Sequence, residues 1–282
     1  MKRIICCVLL LVLLAGCGKT PELPEVTQPA TIAPEVTEPE VAESETTQPE
    51  TTEPEETEPE TTRPEETEPA QTLPEHSGLY LENVSVEDVI CWFNEVCLDT
   101  EFSFGGNASL VQKWDVPIAY IIYGEPTEED LVTLSRFTQW LNTLEGFPGI
   151  SQTQDPAAAN LRIHFTDHQG LTDIMGPDFA GLDGAVTFWY DGANAIYDEV
   201  ICIRTDLDQQ VRNSVIQEEI YNGLGPVQDT SLREDSLIWQ GYSIPQEPTE
   251  VDELILRLLY HPDILRGLDA SQCEAVIRAL YH

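Results

Sequence analysis

Apolar residues recur at three- and four-residue intervals from Val86 to Cys97 (Val86, Val89, Ile90, Phe93, Cys97), and Ser85 and Asp88 are spaced as a capping box. This predicts an amphipathic helix. A second helix is predicted after Thr127, whose partner Asp130 completes another capping box. Leu131, Leu134, Phe137, Leu141 and Leu144 share one side of it, and Gly146 and Pro148 end it. The rhythm changes to two in "NLRIHFTD": Leu161, Ile163 and Phe165 face one way, Arg162 and His164 the other, as in a half-buried strand. "VPIAYIIYG" reads as another strand. "AVTFWYDG" and "YDEVICIRTD" read as two more, joined by the turn-rich "DGANA" into a hairpin. Asp206 or Asp208 is expected to cap the next helix; a loop follows, and "EVDELILRLLY" supplies a last long amphipathic helix. Helix, strand, helix, three strands, helix, loop and helix make an α+β plan with a small mixed sheet packed by helices.

The first 77 residues follow neither rhythm. Lys2 and Arg3 precede the apolar run Ile4–Leu14, which is too short to span a bilayer. "LAGC" then puts small residues directly before Cys17. Residues 1–16 are read as a leader resembling the bacterial lipobox, which implies lipid on Cys17 and an extracytoplasmic, membrane-anchored chain. An ordinary cleaved signal is the alternative. From 18 to 77 proline recurs every fifth residue from Pro24 to Pro74, with Ser44 the one exception, amid Glu and Thr, and repeats such as "PEETEP" hold nothing large and apolar to bury. Such a chain is a disordered spacer, and in polyproline II geometry it reaches roughly 190 Å at most. Residues 78–282 are left as the globular domain.

The formal net charge of −38, from 51 acidic against 13 basic residues, provides no basic footprint for phosphate and excludes nucleic acid as a partner. Cationic partners or divalent ions are favoured instead. Beyond the leader and Cys17, Cys91, Cys97, Cys202 and Cys273 remain, enough for disulfides in three full pairings or for buried free thiols. Cys91 and Cys97 fall on different sides of their predicted helix, so a bond between them requires that helix to end early.

The stretch "QEEIYNGLGPVQD", Gln217–Asp229, has the outline of a zinc-peptidase helix without its metal ligands. In HExxH two histidines one helical turn apart hold zinc, and the glutamate between them acts as base on the bound water. Here Glu218 takes the first histidine position, Glu219 the base position and Asn222 the second histidine position. Gly225 keeps a glycine, and Gln228 with Asp229 fall where a third ligand would be. A carboxylate on a mostly buried helix needs a specific partner, either strand backbone, Arg204 or Arg212. No metal is expected. Were one bound, Glu218, Asn222 and Asp229, with Gln228 as a neutral helper, form an oxygen set suited to calcium, magnesium or manganese rather than zinc. Metal-free hydrolysis with Glu219 as base and Glu218 sharing its proton is a further possibility. The histidines offer little: His76 is in the spacer, His261 precedes Pro262, and His282 is terminal. His164 and His168 stand about 13 Å apart if both are extended, unless the chain bends after Thr166. At "FWYDG" alternation puts Trp189 on one side and Phe188 and Tyr190 on the other, so either Trp189 is exposed and that pair buried, or the reverse; with Trp239 and Tyr242 these aromatics belong to the core or line a groove for peptide or sugar.

Together with "WFNEVCLDTEF", a Trp followed by a Pro-containing strand, "DSLIW" and "DELILRLLYHPDILRGL", the segment "EEIYNGLG" resembles the bacterial, often lipoprotein, family designated domain of unknown function 2927 over about Val86–Leu268. The resemblance implies a zincin-like fold. Its members carry Glu-Glu at this place and more often glutamine where this chain has Asn222. The expected function is a surface lipoprotein whose degenerate domain is a non-catalytic binding or envelope-associated module, with an extended peptide or envelope polymer as partner and no cofactor. The alternative is an envelope peptidase-like hydrolase that uses Glu219 as base, with a non-standard metal or none.

Overall fold

The computed structural model describes residues 3–6, 79–98, 110–241 and 246–282. Cys17, the spacer and Tyr242 lie outside these residues. Among the described residues seven strands form one sheet: β1 Arg3–Cys6, β2 Lys113–Trp114, β3 Ile118–Gly124, β4 Ile150–Gln152, β5 Leu161–Thr166, β6 Gly184–Tyr190 and β7 Ala195–Arg204. Around it are α1 Val86–Leu98, α2 Glu128–Leu141, α3 His168–Met175, α4 Gln209–Gly223, α5 Glu250–Leu259 and α6 Ala270–Leu280. The protein is therefore a mixed α/β domain consistent with the α+β plan. No helix among the described residues is long and apolar enough to cross a membrane.

The strand order is β1-β6-β7-β5-β3-β4, with β2 beside the start of β7. β3, β4, β5 and β7 run parallel, while β6 folds back antiparallel on β7 through the turn at Asp191–Asn194, where Asn194 adopts φ 62°. The outer edge of β6 pairs antiparallel with β1, Arg3 opposite Trp189 and Cys6 opposite Val186.

Alternation gives the sheet two different faces. Leu161, Ile163, Phe165, Val186, Phe188, Ile201 and Ile203 point to one side and are sealed by apolar residues of α1, α2, α4, α5 and α6 into the main core. On the other side Leu171, Phe179 and Leu182 cover Ala185 and Cys202, with half-buried Met175 and Val200 packed against them. The rest of that face carries the Arg162–Asp198 ion pair at 2.8 Å and stacked rings of Tyr123 and His164, 4.8 Å apart.

Both predicted capping boxes form. Asp88 N–H donates to Ser85 Oγ at 3.1 Å, and Thr127 and Asp130 satisfy each other's backbone N–H. Of the two candidate caps for the motif helix, Asp208 holds the N-cap position without a side-chain bond and Asp206 pairs with Arg204. Two helices go beyond the predicted plan. α3 begins as soon as the Asp167 carboxylate caps the chain, and it buries only Leu171, too little to leave an apolar rhythm. α6 is capped by Asp269 with Gln272 and buries Cys273 and Ile277, one turn apart.

Helix α1 runs unbroken past both Cys91 and Cys97, the first exposed and the second buried, and all four cysteines of the described domain are free thiols. Lys113 donates from its ammonium to the carbonyls of Leu259 at 2.7 Å and Ile264 at 2.5 Å, closing the C-terminal end of α5, where cations are favoured. Burial pulls its pKa down to about 8.

Candidate functional site

Helix α4 packs across β6 and β7, and ten of its fifteen residues are buried, so polar side chains on it must enter the interior. Glu219 is 1% exposed. It lies against Gly184 at the start of β6, where a Cβ would stand 2.6 Å from Glu219 Oε1; the missing side chain makes room for the carboxyl. Glu218, one position earlier, is half-buried and faces Asp229, Glu219 and Asp183 electrostatically. Asn222 is fully buried, and its amide N–H reaches toward Asp229 Oδ1 at 3.5 Å.

Gly225, at φ 126°, turns the chain out of the helix. The loop is then pinned to α1: the N–H groups of Val227 and Gln228 both donate to Val96 O, Thr230 Oγ1 donates to Glu95 Oε2 at 2.6 Å, and Ser231 N–H to Glu95 Oε1 at 2.8 Å. This anchoring returns half-buried Gln228 and Asp229 to the motif helix. The structure thus brings Glu218, Glu219, Asn222 and Asp229 together, as their spacing predicts.

One member of this group was not anticipated. Glu199 on β7 is fully buried beneath α4, and neither carboxyl oxygen has a hydrogen-bond partner. Gly223 admits it, since a Cβ there would lie 1.7 Å from Glu199 Oε1. The nearby indole N–H of Trp114 is engaged by Gly223 O at 3.1 Å. The signal was present in "YDEVICIR", where Glu199 falls in phase with Ile201 and Ile203 on the apolar side. Burial drives the Glu199 carboxyl well above the ordinary carboxylate range. Burial, followed by the charge of Asp229, does the same for Glu218 and Glu219.

The anticipated arginine partners are engaged elsewhere. Arg204 pairs with Asp183 at 2.8 Å and Asp206 at 2.9 Å, because its β7 position points away from α4. Arg212, about two helical turns nearer the N-terminus, pairs with Asp130 at 2.7 Å. Among the described residues no Lys, Arg or His forms an ion pair with Glu218 or Glu219, and Glu219 Oε2 and Asn222 Oδ1 have no hydrogen-bond partner. The chain does bend after Thr166, but His164 stays on the face opposite α4 and His168 opens α3, so neither joins the motif helix. Among the described residues no three His, Cys, Asp or Glu side chains are grouped to hold a metal ion. Phe188 is buried over α4, whereas Trp189 alternates to the opposite face and is half-exposed there; Trp239 is half-buried in the loop after α4.

Fold and site together define a mixed α/β domain in which a carboxylate-bearing helix lies across a mostly parallel sheet. The chain belongs to the family described as "Protein of unknown function (DUF2927)", whose model matches residues 87–279. No curated protein matches it.

Proposed function

We propose that the protein is an extracytoplasmic, lipid-anchored chain that presents a zincin-like domain as a non-catalytic module for binding extended peptide or envelope polymer. The observation that carries this reading is the burial of Glu219. A general base must come within about 3 Å of the proton it takes, yet this carboxyl is 1% exposed, set against Gly184 beneath the sheet. The zincin-like character is supported by a motif helix that directly follows the last strand and packs under the antiparallel strand β6, which becomes the sheet edge once the leader that carries β1 is removed. An extended peptide would add to that edge by main-chain hydrogen bonds, in the way β1 pairs with it.

The test is the full chain and its Glu219→Gln variant, incubated with a mixture of extended peptides and followed for both retention and cleavage. The binding reading expects retention by both proteins and cleavage by neither. Cleavage by the wild type that disappears in a normally folded Glu219→Gln would sink it in favour of a hydrolase.

A further inference from the structure

We propose that the side of β6 away from β7 takes a cationic extended peptide, laid antiparallel with a lysine or arginine opposite Trp189 and apolar residues opposite Phe188 and Val186. This rests on the binding-module reading above and names the peptide that reading would select.

Folded proteins blunt the edges of their sheets with short strands, charged residues, proline or bulges. The edge at β4 follows that rule: it is three residues long and lies between Pro148 and Pro156. β6 carries no such protection along its length. Its seven residues, GAVTFWY, hold no charge and no proline, and five of them are β-branched or aromatic. Such a strand invites another beside it, and the structure seats one there: β1 pairs with it antiparallel from Val186 to Trp189. Removal of the leader opens this main-chain row. The register shift between Trp189 and Tyr190 marks a bulge, which confines a regular ladder to Gly184–Trp189.

Register decides what each peptide position meets, because residues directly opposite in an antiparallel pair share a face. Val186 and Phe188 are fully buried on the side that α4 covers, so a peptide residue opposite either one extends that apolar layer and gains by being apolar. Trp189 points to the other side and is half-exposed. Its neighbour on β7, Asp198, is already paired with Arg162, so the selective contact there is between a cation and the indole face. β1 has the same order, with Arg3 opposite Trp189 and Ile4 opposite Phe188. The excess of 51 acidic over 13 basic residues draws a cationic peptide toward the domain and repels a second copy of the chain. Such a peptide touches the main chain of β6 and the exposed part of Trp189, and needs no entry to the interior.

The experiment is fluorescence-polarisation titration of the full chain, and of the chain beginning at Cys17, with dye-labelled Ser-Arg-Ile-Thr-Val-Ser and four relatives. These carry glutamate for the arginine, the arginine moved to the last position, serine for both apolar residues, or N-methyl groups on two successive residues, isoleucine and threonine. The parent peptide should bind at least about threefold tighter than each relative. It should bind the chain beginning at Cys17 more tightly than the full chain, where β1 fills the row. Trp189→Ala should erase the gap between the parent and its moved-arginine isomer, which have the same net charge; if this variant fails to fold, the comparison of peptides on the wild-type chain still decides. Equal binding of the two isomers, or undiminished binding of the N-methylated peptide, would overturn the proposal and leave the binding-module reading intact. Failure of all these peptides and of the extended-peptide mixture to bind would remove both. Concentration-dependent dimerisation that the parent peptide does not reverse would assign the row to a second copy and overturn the proposal.

Discussion

Glu199 stands in phase with Ile201 and Ile203 and fills a place where an apolar side chain would cost nothing. A carboxyl there stays neutral by keeping its proton, and its raised pKa is a statement about stability. Below about pH 4.5, the ordinary glutamate value, folded and unfolded chains are both protonated and the contribution to stability is fully present. As pH rises the unfolded chain loses the proton first, so stability falls, by about 1.4 kcal/mol per pH unit for one such group, until the folded pKa is passed. Glu199→Gln should therefore flatten the fall in melting temperature between pH 5 and pH 8. An identical slope in wild type and variant would show that Glu199 is not held protonated. Glu218, Glu219, Asn222 and Asp229 were legible as one group because helical spacing and a short loop bring them together. Glu199 was not, because its meeting with Gly223 crosses from sheet to helix, and no local spacing encodes that.

Among the elements, α2 and α4 are joined by a buried ion pair. Arg212 Nε meets Asp130 Oδ1 at 2.7 Å, with both side chains almost fully buried, and Gln209 Nε2 adds a bond at 2.6 Å. Burial pushes the Asp130 carboxyl up, but bonds from Arg212, Gln209 and Thr127 outweigh it and hold the pKa below the ordinary value. Asp130→Ala removes the side-chain half of the α2 capping box and strands a buried guanidinium, so it should cost about 3–5 kcal/mol in urea unfolding. Arg278→Ala, which removes the exposed Glu87 and Glu274 pairs, should cost far less, because water already screens them. Equal costs would mean that the pair does not tie α2 to α4. The two capping boxes were readable from local sequence, whereas the Asp130–Arg212 tie spans 82 positions and depends on how the helices pack. Arg212 had been a candidate partner for the glutamates only because it shares their helix.

At the scale of the whole molecule, the class of fold could be read from the two rhythms of apolar residues, since helices and strands of this length leave distinct periods. The order of strands could not, because β5 joins β7 past the intervening β6 through pairings that sequence does not announce. Short β2 and β4 and sparsely buried α3 were hidden for a related reason: each owes its existence to neighbours rather than to its own pattern.

Lys113 links this architecture to a practical property. It is the sole lysine beyond residue 77, and its amine is turned inward onto the ends of chain at Leu259 and Ile264. Amine-acylating reagents would then find one target in the domain, and only while the α5 end is open. The labelling rate at Lys113, set against that of free Nα-acetyl-lysine methylamide in the same solution, becomes a clock for how often the folded domain breathes. Slower modification of Lys113 than of the free amine is the expected pattern, and equal rates would mean that the α5 end stands open.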